Sequence, residues 1–210
     1  MIIDNISIEW LGHASFKIKT DGSTIYIDPF DIKSEEKADI ILITHGHYDH
    51  CSINDIRKIA REGTVIAAPP DCLSKVSSIN KVKIIPVEPN KSYDINSLKI
   101  ETVPAYNINK KFHPKENDWV GYVLNIQNKR IYHAGDTDAV PEMMHLQNID
   151  IAMLPIGGTY TMDIKEAAKA ANMIKPKILI PMHYNKIQGT EAEPEELKQN
   201  LMPNIRMETL

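Results

Sequence analysis

The sequence predicts an α/β protein, on three observations. Short apolar runs rich in Ile, Val and Tyr recur along the chain, stretches with helical spacing and cap signals fall between them, and Gly, Pro or Asp punctuates the joins. Residues 6–10, 15–20 and 23–28 read as strands, with Asp21-Gly22 as the hairpin signal between the second and third. Residues 39–44 form an apolar run that reads as a buried strand. Residues 52–61 read as a helix that Ser52 caps, that Asp55 supports three positions on and that Gly63 stops. Short strands are expected near 64–67, 82–87 and 97–103, with a helix at 70–77. The second half continues with strands at 119–126 and 129–133 and a short helix from Pro141. A buried strand at 149–154 follows, then a helix from Asp163 to Ile174 whose apolar positions fall three or four apart. Lys177–Pro181 reads as another buried strand, and 194–202 as a last helix opened by Pro194. No repeat or linker stands out, so residues 1–210 are expected to form a single domain.

Composition bounds the function. At 210 residues, 42% hydrophobic and 25% charged, the chain can bury a sizeable core. Its net charge of −4, without a basic block, speaks against a broad nucleic-acid surface. No apolar run is long enough to span a bilayer and no export signal is visible, so a cytoplasmic protein without membrane association is expected. The two cysteines, Cys51 and Cys72, are expected as free thiols.

The densest chemistry lies in Thr44-His45-Gly46-His47-Tyr48-Asp49-His50, which reads H-x-H-x-D-H. A tight loop leaving the 39–44 strand can turn His45, His47, Asp49 and His50 toward one point. Imidazole and carboxylate are the donors that zinc, manganese, nickel and iron accept. Asp136 and His183 likewise each lie just after an expected strand, where a rigid scaffold can converge loops on a site.

This pattern resembles the signature of the metallo-β-lactamase superfamily. Matching pieces follow in order: Tyr132-His133-Ala134-Gly135-Asp136-Thr137 and Ile180-Pro181-Met182-His183-Tyr184. Trp10-Leu11-Gly12-His13-Ala14-Ser15, Tyr26-Ile27-Asp28-Pro29-Phe30 and Pro155–Met162 resemble the branch of metal-dependent hydrolases related to ascorbate-6-phosphate lactonase. The resemblance spans residues 6–187 and implies a four-layer αββα sandwich, the metallo-β-lactamase fold. It also implies one or two divalent metal ions (Zn, Mn, Ni or Fe). His45 and His47 would hold one metal, Asp49, His50 and His183 a second, and Asp136 would bridge them. Asp49 would then be a catalytic base candidate, with His13 as a neighbouring catalytic or orienting group.

One departure stands out. Related hydrolases place a histidine where this chain has Asn107, in Val103-Pro104-Ala105-Tyr106-Asn107. His113, six residues on, is a candidate to fill that place, with a loop histidine at the cleft rim as the alternative. His133 is a candidate support for Asp136, against a core histidine. Asp28 is expected to stabilise a loop by hydrogen bonding. Thr159 and Tyr160, after Gly157-Gly158 and before a helix start, are substrate-contact candidates. Residues 107–118 are expected to form a lid whose Lys110, Lys111 and Lys115 either meet anions or are solvated.

The leading function is hydrolysis of a small anionic ester, lactone or phosphodiester by metal-activated hydroxide. Its partner would be a small-molecule substrate, and family analogy implies a homo-oligomer. An RNA-processing nuclease and a non-catalytic metal-binding module are the alternatives. A diiron oxidoreductase fits poorly, because Gly46 stands where such proteins carry a carboxylate.

Overall fold

The computed structural model describes residues 1–33 and 36–210, which form two compact units, Met1–Glu88 with Leu210 and Pro89–Thr209. Each unit carries one seven-stranded mixed sheet.

Unit 1 contains β1 (Ile2–Ile3), β2 (Ile6–Gly12), β3 (Ser15–Thr20), β4 (Ser23–Ile27), β5 (Ile40–Leu42), β6 (Val65–Ala68) and β7 (Lys83–Pro86), arranged in sequence order. The first four pair antiparallel and the remainder parallel. β5 and β6 are buried at every residue, as parallel strands covered on both faces must be. The expected 52–61 helix is α1 (Ile53–Ile59), and the Ser52 hydroxyl accepts from the Asp55 N–H as the sequence predicts. It ends at Ala60, before Gly63, because Ala60 already has extended backbone. The 70–77 stretch is a 3-10 turn, Pro70–Cys72, running into α2 (Leu73–Val76). Tyr26, Ile41, Ile56, Ile59, Ile66 and Val76 pack together beneath these elements.

Unit 2 contains β8 (Ser92–Ile95), β9 (Leu98–Pro104), β10 (Val120–Ile126), β11 (Lys129–His133), β12 (Ile151–Pro155), β13 (Ile178–Met182) and β14 (Arg206–Met207). Its sheet repeats the pattern of unit 1: antiparallel pairing from β8 through β11, then parallel pairing through β14. α3 (Ile164–Ile174) begins in a capping box between Asp163 and Glu166. Lys175 ends it with φ +54, before Pro176. The expected 194–202 helix is shorter, α4 (Pro194–Lys198), and the stretch from Pro141 is a 3-10 turn. The sequence reading omits β1, β8 and β14, which are too short to show a period.

Candidate metal centre

In unit 1 the Ile43 N–H still donates to the Ala67 carbonyl, so the chain leaves the sheet at Thr44. The N–H groups of His50 and Cys51 then donate to the His47 carbonyl at 3.2 and 2.8 Å, closing one tight turn. That turn gathers three imidazoles: the His45 ring lies 4.0 Å from His50 and 4.7 Å from His47 between centroids. A side chain at Gly46 would meet the Asp71 carboxylate, which would have to swing aside.

The fully buried Asp28 sets the histidine tautomers. Its carboxylate accepts the Thr44 N–H at 2.8 Å, the Thr44 hydroxyl at 2.6 Å and His50 Nδ1–H at 2.8 Å. Having given its one proton to Asp28, the Thr44 hydroxyl can only accept from His45 Nδ1, 3.0 Å away. His45 and His50 therefore both present Nε2 lone pairs, the form in which imidazole binds a metal. His45 Nε2 lies 3.0 Å from His47 Nδ1, so two ring nitrogens meet. Next to them the buried His13 places Nε2 2.9 Å from Asp49 Oδ2.

Unit 2 assembles its group from three loops. Asp136 follows β11 through a turn in which the Gly135 N–H donates to His133 Nδ1 at 3.2 Å, so His133 supports the aspartate's turn from within the core. His183 follows β13 and puts Nε2 3.0 Å from Asp136 Oδ2. Gly157 makes room for it, since a side chain there would strike the His183 carbonyl. His113, from the loop after β9, places Nε2 3.3 Å from the same Asp136 oxygen and gives its Nδ1–H to the Tyr160 carbonyl at 3.0 Å. Asn107 donates from Nδ2 to the carbonyls of Tyr160 (2.7 Å) and Phe112 (3.0 Å). Of the two residues considered for that place, His113 is the one beside Asp136.

His13, Asp28, His113 and His183 all have positive φ, between 45° and 56°. That left-handed conformation is costly for most residues other than glycine, although this chain also adopts it at turns away from the site, such as Lys81, Asn90 and Asn128. The donor set fits divalent cations: neutral imidazole lone pairs and carboxylate oxygens converge within each unit, and a cation relieves that crowding.

The remaining candidates fall elsewhere. The Tyr160 ring packs on Phe112 at 4.8 Å while its carbonyl serves His113, and Thr159 is exposed. Lys110 is bound to Asp138 and Glu166, and Lys115 to Glu142, so these two lysines are held by their own chain. Burial opposes the Lys110 charge, but its hydrogen bonds to Asp138 and Glu166 outweigh that and raise its pKa. Cys51 and Cys72 are free of a disulfide, as expected, and both are buried. Sequence reading missed Thr44 and the Tyr160 carbonyl, because neither a hydroxyl beside a histidine nor a backbone oxygen leaves a pattern.

This fold and these ligand groups define a class. Residues 7–183 match the β-lactamase superfamily domain, and the chain belongs to that superfamily with the metallo-β-lactamase fold. Within it the chain is 39% identical over 208 residues to a UPF0173 metal-dependent hydrolase from Thermococcus onnurineus, covering 92% of this chain and 91% of that one. It therefore belongs to the UPF0173 family of metal-dependent hydrolases. A solved Parabacteroides distasonis protein is 37% identical with a TM-score of 0.86, covering 97% of this chain and 92% of that one. Igni18, a metallo hydrolase from Ignicoccus hospitalis, is 27% identical with a TM-score of 0.81, over 98% of this chain and 94% of that one. Among the described residues no helix is long and apolar enough to cross a membrane.

Proposed function

We propose that this chain hydrolyses a small anionic ester, lactone or phosphodiester, with His45, His47, Asp49, His50, Asp136 and His183 as its metal ligands and His113 completing the set. The observation that carries the reading is the Asp28–Thr44 network, which engages Nδ1 of two histidines of one loop and so sets Nε2 in the lone-pair form that ligates a metal. Such a network has little purpose in a merely solvated loop. Bound divalent cations supply an activated water and a Lewis acid for the attacked carbonyl or phosphoryl group. The imidazole-rich loop suits zinc, iron or nickel, and the carboxylates also admit manganese.

The chain's own groups divide the remaining work. Asp49 accepts the proton of the attacking water, and His13, hydrogen-bonded to its Oδ2, orients that carboxylate. Two divalent cations outweigh the charges of Asp49 and Asp136, which favours an anionic substrate. With Lys110 and Lys115 held by acidic groups of their own chain and a net charge of −4, a small molecule is the preferred partner over RNA. A cytoplasmic location and a homo-oligomer belong to the same proposal.

The test is elemental analysis of the purified protein beside turnover of bis(p-nitrophenyl) phosphate and a lactone panel with Mn, Zn, Ni and Fe. Metal uptake with turnover that disappears in His47→Ala is the expected result. Tight metal binding without turnover on any substrate would favour the binding module instead.

A further inference from the structure

We propose that Asn107 is a positioning residue whose side-chain amide clamps the 107–113 loop shut and so delivers His113 to Asp136, without ligating a metal itself. Its metal readouts rest on the metal-dependent reading above, whereas the clamp does not.

The loop is tied at both ends to residue 107. The Asn107 backbone N–H donates to the His113 carbonyl at 2.7 Å, and the side-chain Nδ2 donates to the Phe112 carbonyl at 3.0 Å. The second Nδ2 proton goes to the Tyr160 carbonyl at 2.7 Å, the same oxygen that takes His113 Nδ1–H at 3.0 Å. One backbone oxygen thus fixes the amide and the imidazole together. With both N–H groups spent, the amide cannot flip, because a flip would turn Oδ1 against two carbonyl oxygens.

Two further observations agree. Asn107 is only 6% exposed, and its Oδ1 has no hydrogen-bond partner among the described residues. A buried acceptor is left unsatisfied at a cost, which is consistent with the residue being held for its donors. His113 itself has φ +56, a conformation that persists only where the surroundings over-determine it.

The clamp and a direct-ligand role predict opposite signs for Asn107→Asp. A carboxylate is a better metal ligand than an amide oxygen, but it cannot donate to the Phe112 and Tyr160 carbonyls. Zinc and manganese titrated calorimetrically into metal-free protein should bind about 10- to 100-fold more weakly to Asn107→Asp. The same loss is expected for His113→Ala, and combining the two should add little, because both act through one imidazole. Asn107→Gln, which keeps both donors, should recover part of the affinity. Tighter binding by Asn107→Asp, or fully additive losses, would overturn the proposal. Hydrogen exchange on metal-free protein reads the clamp independently: residues 107–113 should exchange faster in Asn107→Asp, and unchanged exchange would also overturn it. Wild-type protein that takes up no metal would defeat the hydrolase reading while leaving the exchange result to decide the clamp.

Discussion

The two units build their ligand groups in contrasting ways from sheets with the same order of antiparallel and parallel pairings. Unit 1 concentrates His45, His47, Asp49 and His50 in one turn after β5, braced by Asp28 from the end of β4. Unit 2 draws His113, Asp136 and His183 from loops after β9, β11 and β13. A local turn makes a ligand group that depends on a few hydrogen bonds. A group drawn from distant segments depends on sheet register and on the close approach of loops.

That contrast can be broken first at its most sensitive point. Asp136→Ala removes the oxygen that both His113 and His183 approach, and turnover of bis(p-nitrophenyl) phosphate should fall on the order of 10³-fold. An activity within a few-fold of wild type would show that unit 2's group is dispensable. Asp28→Ala attacks unit 1 without touching a ligand. Metal affinity should fall about 10- to 100-fold, and the metal-free protein should melt earlier because the buried Thr44 N–H loses its acceptor, costing about 1–3 kcal/mol. Calorimetric titration and thermal denaturation measure the two effects.

Gly157→Ala probes the dependence of unit 2 on close packing. Pushing the His183 carbonyl away should cost about 1–3 kcal/mol in denaturant unfolding and weaken metal binding, with unit 1 unaffected. Asp163→Ala removes the cap of α3, costing about 1 kcal/mol with metal affinity unchanged. The smallest effect is a pH dependence. The Lys110 pKa is raised on folding, so its stabilising contribution is fully present below the ordinary lysine value of 10.5 and is lost as pH rises through the folded value. Amide exchange in the 107–118 loop should therefore show an added acceleration, beyond the intrinsic pH effect, only above about pH 10.5, and Lys110→Met should abolish that step.

The sequence carried unit 1's group almost whole, because one turn places its ligands within six residues and adjacency survives in the order of letters. Asp136 and His183 were legible only with the family resemblance and their position after buried strands. The choice between Asn107 and His113 was open in the sequence. It depends on where a loop returns, and that return is decided by the Tyr160 carbonyl, far along the chain. The expectation of a lid with available lysines gave way for Lys110 and Lys115, because their acidic partners lie on separate segments.

What the sequence determined by itself was the alternation of strands and helices, the cap of α3, the turn of histidines and the absence of a long apolar helix among the described residues. These are local properties, set by period, backbone preference and neighbouring side chains. Only the tertiary structure decided which tautomer His45 and His50 adopt, why Gly157 lacks a side chain and which residue of the 107–113 loop meets Asp136. Those outcomes rest on hydrogen bonds and steric contacts between residues remote in sequence, and distances of a few ångströms leave no trace in a string of residues until the chain has folded.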